Sequence, residues 1–244
     1  MTPFFTKSEH IEQIIKSFNL TKTLFVSSVI IGEAHTGKKT LARYLFPNTP
    51  LVSAKDKKAV IQALKDYDEL IISDFEQLTN HSFLDFGNKR IIATANYVGN
   101  HTLIDDLFAF IYTMPPLQER PEDTLYLKEK YIEEAAATLM IDAHTLNTDS
   151  ILLNLKKNTK SLKKSIFLHL FKQSIQADDI EEILYNYLLT NLNGNGEYKK
   201  YLSLYEKPLI KAGLKKFGSQ LQLSQVLGIN RNTLRKKLYE HNID

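Results

Sequence analysis

The stretch with the clearest chemistry is Gly32-Glu-Ala-His-Thr-Gly-Lys-Lys39, set between the apolar run FVSSVII and the helix-like TLARYLF. Its glycine-to-glycine-lysine spacing is that of a phosphate-binding loop, where backbone N–H groups and an ammonium surround an anion at a helix N-terminus. The expected donors are the amides of Glu33 to Lys38 and the Lys38 side chain. The candidate nucleotide-binding set is Gly32, Glu33, Ala34, His35, Thr36, Gly37, Lys38, Lys39 and Thr40. Lys39 stands where the general pattern has the Ser or Thr that holds magnesium. A second constellation lies at the other end, in GSQLQLSQVLGINRNTLRKKLYEHNI, residues 218–243. A short helix over Leu221–Leu227, a turn at Gly228-Ile229 and a second helix capped by Asn230 make a helix-turn-helix. Gly228 suits the helix end because it can take positive φ. Leu234 and Leu238, four apart, mark the inner face of the second helix. Arginine near the start of such a helix can reach guanine edges bidentately, and lysines further along neutralise phosphates.

The elements that must position these groups are of two kinds. Helix-like Ser8–Phe18, Thr40–Phe46 and Ala59–Leu64 interleave with strand-like Leu24–Ile31, Glu69–Ser73, Arg90–Ala95 and Tyr112–Met114. Such alternation predicts a mostly parallel sheet covered on both faces. After Pro121 almost everything reads as helix, with breaks near Ala143–Asp149 and at Asn193-Gly-Asn-Gly196. The expected organisation is an α/β subdomain over 1–120, a helical lid over 121–180 and an all-α module over 181–244.

Composition excludes several classes. The 244 residues carry 43% hydrophobic and 24% charged side chains, as ordinary globular proteins do. No run of about 18 apolar residues suggests a membrane span, and the first residues lack the pattern of a secretory signal. With no Cys and seven scattered His, neither disulfides nor a zinc site is expected, and a cytoplasmic location fits. The net charge of +3 is uneven: from Glu197 onward there are ten Lys/Arg against four Asp/Glu, a local +6, leaving −3 on the rest. A basic end on a slightly acidic body predicts a polyanion-binding module there, with double-stranded DNA as partner.

The segment GINRNTLRKKL, with Tyr205, Glu206, Pro208 and Leu209 in order upstream, resembles the Fis family of bacterial nucleoid proteins over roughly Tyr185–Asp244. The resemblance implies a homodimer whose recognition helices read successive major grooves. Carried over, the candidate DNA-binding residues are Asn230, Arg231, Thr233, Arg235 and Lys236, with Lys237 added as a phosphate contact. One departure, Gly218-Ser219-Gln220-Leu221-Gln222 for Gly-Asn-Gln-Thr-Arg, implies weaker phosphate contact.

GEAHTGKK, the strand KRIIATAN and the link MPPLQERPED resemble, in that order, the AAA+ domain of sigma-54-dependent enhancer-binding activators of the nitrogen-regulation type. That family has Glu at the position of Lys39, so the missing Ser/Thr is a family trait. The resemblance implies ATP or ADP as ligand, and Asp74 and Asn96 as catalytic candidates if the domain turns over. It also exposes departures. His35 replaces a glycine, at a cost of roughly 1 kcal/mol if positive φ is needed. ELIISDFEQL puts Ser73 on the magnesium-binding Asp and Asp74 on the water-polarising Glu, or else Asp74 and Phe75. Either register lacks one carboxylate, which weakens Mg2+ binding, and Glu76 is expected to be re-aimed by its displacement past the strand end. Ile104 and Phe110 stand at the arginine-finger positions, and fingers typically supply ~10³–10⁵ in rate. Lys160 replaces the lid's sensor arginine. The sigma-contacting loop is replaced by the short KDKKAVIQALKDYD, and no receiver domain is seen ahead of the loop.

The sequence thus predicts a sequence-specific DNA-binding transcriptional regulator. Its AAA+ core is a hydrolysis-deficient scaffold or nucleotide sensor, with surface for RNA polymerase or another regulator. The alternatives are an active AAA+ ATPase remodelling a DNA-bound complex, and a nucleoid-associated DNA-bending protein.

Overall fold

The computed structural model describes residues 4–78, 84–97, 101–142 and 147–243. Part of the helix break expected near Ala143–Asp149 therefore lies outside the described residues, as does Asp244. The chain divides into two compact units, Met1–Ile175 and Gln176–Asp244.

The first unit is built on a five-stranded parallel sheet in the order β2-β3-β4-β1-β5. Its strands are β1 (Ser28–Ile31), β2 (Leu51–Ser53), β3 (Glu69–Ser73), β4 (Arg90–Ala95) and β5 (Phe110–Thr113). The helices around it are α1 (Glu9–Thr21), α2 (Lys38–Leu45), α3 (Lys57–Asp66) and α4 (His101–Leu107). Successive strand side chains point to opposite faces, so a strand buried on both sides reads as continuous apolar sequence. That is how SVII, ELIIS and RIIATA fold. Val29, Ile31, Leu70, Ile72, Ile91 and Ala93 pack on the face covered by Val60, Leu64 and Ile104. Ile30, Ile71 and Ile92 pack on the other, with Ile11, Ile14, Phe18 and Leu41.

The strands at Glu69–Ser73 and Arg90–Ala95 fall where the sequence predicts them. β1 is shorter than expected, because ladder pairing begins only at Ser28, and Leu24 and Phe25 are exposed. β2 has no sequence signal of its own. Three half-buried residues after Pro50 are too few for a period, and their extended form comes from pairing with β3. Beyond the sheet, α5 (Pro121–Leu139) and α6 (Asn158–Ser174) close over their own core, with Leu117, Ala135, Leu162 and Ile166 fully or nearly buried.

The second unit contains α7 (Ala177–Asn191), α8 (Glu197–Phe217), α9 (Gln220–Val226) and α10 (Arg231–Glu240). Ile210, Leu223, Leu234 and Leu238 form its core. Gly228 has φ +63°, the conformation expected at that turn. The Asn230 side chain accepts from the Asn232 amide at 2.8 Å, which caps α10.

Candidate functional site

Because β1 lies between β4 and β5, the chain leaves it in one direction and returns on the other. A crevice therefore opens at the carboxyl end of β1. It is a cleft of about 460 Å³ whose lining includes Lys38, Lys39, Lys55, Asp74, Asn96 and Thr159. Gly32 leaves β1 so close to the chain after β5 that a Cβ there would lie 2.4 Å from the Met114 carbonyl oxygen. No side chain fits. His35 has φ +63°, so the cost anticipated for a non-glycine, about 1 kcal/mol, applies at this position.

The lid holds the loop from behind. Asn158 Nδ2 donates to the Ala34 carbonyl at 3.1 Å and to Glu33 Oε2 at 2.9 Å. Thr159 donates to the His35 carbonyl through its amide at 3.2 Å and its hydroxyl at 2.8 Å. Arg120 Nη2 donates to the Thr36 carbonyl at 2.8 Å. In a trans peptide the N–H points opposite to the preceding C=O. Turning the carbonyls of 34, 35 and 36 toward the lid therefore turns the amides of 35, 36 and 37 toward the cleft.

Lys38 is 6% exposed, and its ammonium donates to the carbonyls of Gly32 (2.7 Å) and Glu33 (2.6 Å) and to Asn96 Oδ1 (3.2 Å). Burial lowers its pKa to about 8, against the opposing pull of Glu76, Asp74 and Glu33. Lys39 and Thr40 are exposed on the first turn of α2.

The end of β3 departs from the sequence expectation for Glu76. Asp74 is left-handed, with φ +58°, and a 3₁₀ turn over Phe75–Gln77 follows. This reversal brings Glu76 back onto the end of β4, where its carboxylate accepts from the Asn96 amide at 3.0 Å and from Asn96 Nδ2 at 2.6 Å. Displacement past the strand end does re-aim the side chain, but toward the site; the left-handed Asp74 is the cause. Asn96 is thereby strung between Lys38 and Glu76. Asp74 lines the cleft with Oδ2 accepting from Ser53 Oγ at 3.1 Å. Ile104, at a finger position, is 4% exposed and packs in the sheet core, while Phe110 is half-buried on β5 beside Tyr112. Lys55 was not anticipated; its only signal is its place after Ala54 in the lysine-rich KDKK.

On α10, Asn230, Arg231, Thr233, Arg235 and Lys236 are all exposed, and Leu234 and Leu238 are buried beneath them. Lys237 differs. Its ammonium turns inward to Glu206 of α8, whose other carboxylate oxygen is 3.1 Å from His241 Nε2. These donors, the Lys237 bond foremost, hold the Glu206 carboxyl below its usual range. Lys237 thus ties the recognition helix to α8 rather than standing with the outward cations.

A family model for bacterial regulatory proteins of the Fis family matches residues 201–241. The DNA-binding protein Fis of Buchnera aphidicola is 32% identical over 102 residues, which cover 40% of this chain and 94% of that protein. The chain belongs to the Fis family. The DNA-binding transcriptional regulator NtrC of Azospirillum brasilense is 40% identical over 68 residues, 26% of this chain. This chain spans only 14% of the NtrC relative's length. Among solved structures, NtrX from Brucella abortus in complex with ADP matches with a TM-score of 0.56 at 17% identity, covering 98% of this chain and 70% of that one. Its complex with ATP gives a TM-score of 0.54 at 15% identity, covering 99% and 69%. At these identities the likeness is one of fold, and the fold of the first unit is AAA+. Among the described residues no helix is long and apolar enough to cross a membrane.

Proposed function

We propose that this Fis-family chain is a homodimeric, sequence-specific regulator of transcription that binds double-stranded DNA through α10. The AAA+ unit holds ATP or ADP without turning it over. The observation that carries the reading is α10 itself, which buries Leu234 and Leu238 and turns Asn230, Arg231, Thr233, Arg235 and Lys236 outward within the segment the Fis model matches. An exposed Arg231 at the first turn is placed to read a guanine from the major groove. Arg231→Ala should weaken binding to the protein's own sites by about 1–3 kcal/mol and change binding to random duplex far less. Sites mapped by genome-wide occupancy supply the duplexes, and equal losses on both would make Arg231 a phosphate contact. Indifference of the parent protein to sequence at physiological salt would favour a DNA-bending role.

Dimerisation is supported by α7, which has no buried residue although Ile180, Ile183, Tyr187 and Leu189 are 48–66% exposed. A helix leaving that much apolar surface in water needs a cover, and a second copy of α7–α8 supplies one. In light scattering, Ile183→Glu with Leu189→Glu should convert dimer to monomer.

Nucleotide holding is supported by the inward amides of the loop and by Lys38. Affinity for ATP should fall as pH rises through about 8, since the ammonium is lost there. One observation favours the other reading, an active ATPase: Glu76 returns a carboxylate to the cleft's edge. Against it, that carboxylate is bound to Asn96 and the finger positions are Ile104 and Phe110. Steady phosphate release abolished by Lys38→Ala would establish the ATPase; none is expected.

A further inference from the structure

In phosphate-loop nucleotidases magnesium is held by a hydroxyl after the loop lysine and by a carboxylate at the neighbouring strand's end. The residues present do not fit that ion. Position 39, Glu in the activator family that the loop resembles, is a lysine, so an ammonium stands where that family has an acid. Ser73 ends β3 with its hydroxyl donating to the Val52 carbonyl at 3.3 Å. Asp74, the one carboxylate lining the cleft among the described residues, has Oδ2 committed to Ser53 at 3.1 Å, with Ser73 Oγ 3.5 Å away. Nor do three or more His, Cys, Asp or Glu among the described residues gather anywhere as a metal site.

Cations stand in place of ligands. The cleft is lined by the ammonium-bearing Lys38, Lys39 and Lys55 with the Asp74 carboxylate, while the Glu76 carboxylate at its edge is taken up by Asn96. Lys55 is exposed in the turn between β2 and α3. Its neighbour Asp56 faces the other task, capping α3 by accepting from the Ala59 amide at 3.0 Å. Lys57 and Lys58 then fill the first turn of α3, the end where a helix dipole disfavours cations. Such a site attracts a polyanion and repels a dication.

We infer that the cleft binds a nucleoside di- or triphosphate without any divalent cation, Lys39 and Lys55 neutralising the oxygens that magnesium would bridge. This rests on the nucleotide reading above. It also accounts for a loop that grips without cleaving, because the ion that offsets charge in phosphoryl transfer has no seat.

The test is equilibrium titration of the full chain with a fluorescent N-methylanthraniloyl ATP, once in EDTA and once in millimolar magnesium. Affinities equal to within about twofold are expected, and Lys55→Ala should weaken binding in EDTA by about tenfold, the worth of one charge-assisted contact. Circular dichroism of the variant, altered at an exposed turn, checks that it is folded. Binding that requires magnesium, or a Lys55→Ala that binds as the parent does, overturns the inference and leaves nucleotide binding standing. No binding in either buffer removes the nucleotide reading itself.

Discussion

Replacing Asp123 with alanine should cost about 3–5 kcal/mol of stability, the penalty for leaving a buried charge without its partner. Asp123 and Arg120 are 2% and 3% exposed at the side chain and pair at 3.2 Å. The carboxylate does more than balance the guanidinium. Its Oδ2 also accepts from the Thr6 hydroxyl at 2.9 Å, and its Oδ1 from the Lys7 amide at 2.8 Å, anchoring the segment that leads into α1. Burial lowers the Arg120 pKa and Asp123 works against that shift, so removing the acid leaves the cation to bear its desolvation alone. The same guanidinium holds the Thr36 carbonyl, so the phosphate loop should loosen together with the segment that leads into α1. Urea unfolding followed by circular dichroism checks the magnitude. The double variant Arg120→Met with Asp123→Leu should recover most of the loss, since apolar replacement of both partners removes the orphan. A cost below about 1 kcal/mol for Asp123→Ala would mean that water reaches the pair.

Leu234→Ala should have the second large effect, about 2–5 kcal/mol, and confine it to the second unit. Leu234 is fully buried in a core whose other buried apolar side chains are Ile210, Leu223 and Leu238. A unit this small draws only a few kcal/mol from its core, so one lost leucine removes most of its margin. In thermal melts of the full chain, the transition of the second unit should move down while that of the first stays. DNA binding should be lost with the fold. Arg231→Ala gives the contrast, losing binding with the melt unchanged. A Leu234→Ala chain that melts and binds like the parent would place the core elsewhere.

Much of the architecture could be read from local pattern. ELIIS and RIIATA announce buried strands because a parallel strand covered on both faces must be apolar at every position. The turn at Gly228 and the spacing of Leu234 and Leu238 announce α9 and α10, because a positive-φ stop and a four-residue period are short-range facts. β2 was not legible, since three residues between Pro50 and Ala54 become a strand only through β3. Lys237 was legible as a cation but not as an inward one. Which side of α10 it takes depends on where Glu206 stands, 31 residues earlier on α8.

The phosphate loop divides in the same way. Its residues, its lysine and the oddity of Lys39 are properties of eight consecutive positions, and the sequence by itself determined them. Whether the amides face a cleft was decided by Arg120, Asn158 and Thr159, which reach the loop's carbonyls from up to 124 residues away. Glu76 was turned back to Asn96 by one left-handed residue, and Lys55 was brought to the cleft's rim by a strand with no signal of its own. Local sequence sets backbone preference and the period of burial. Which charges meet is set by contacts between distant segments, and those exist only once the sheet and lid have closed.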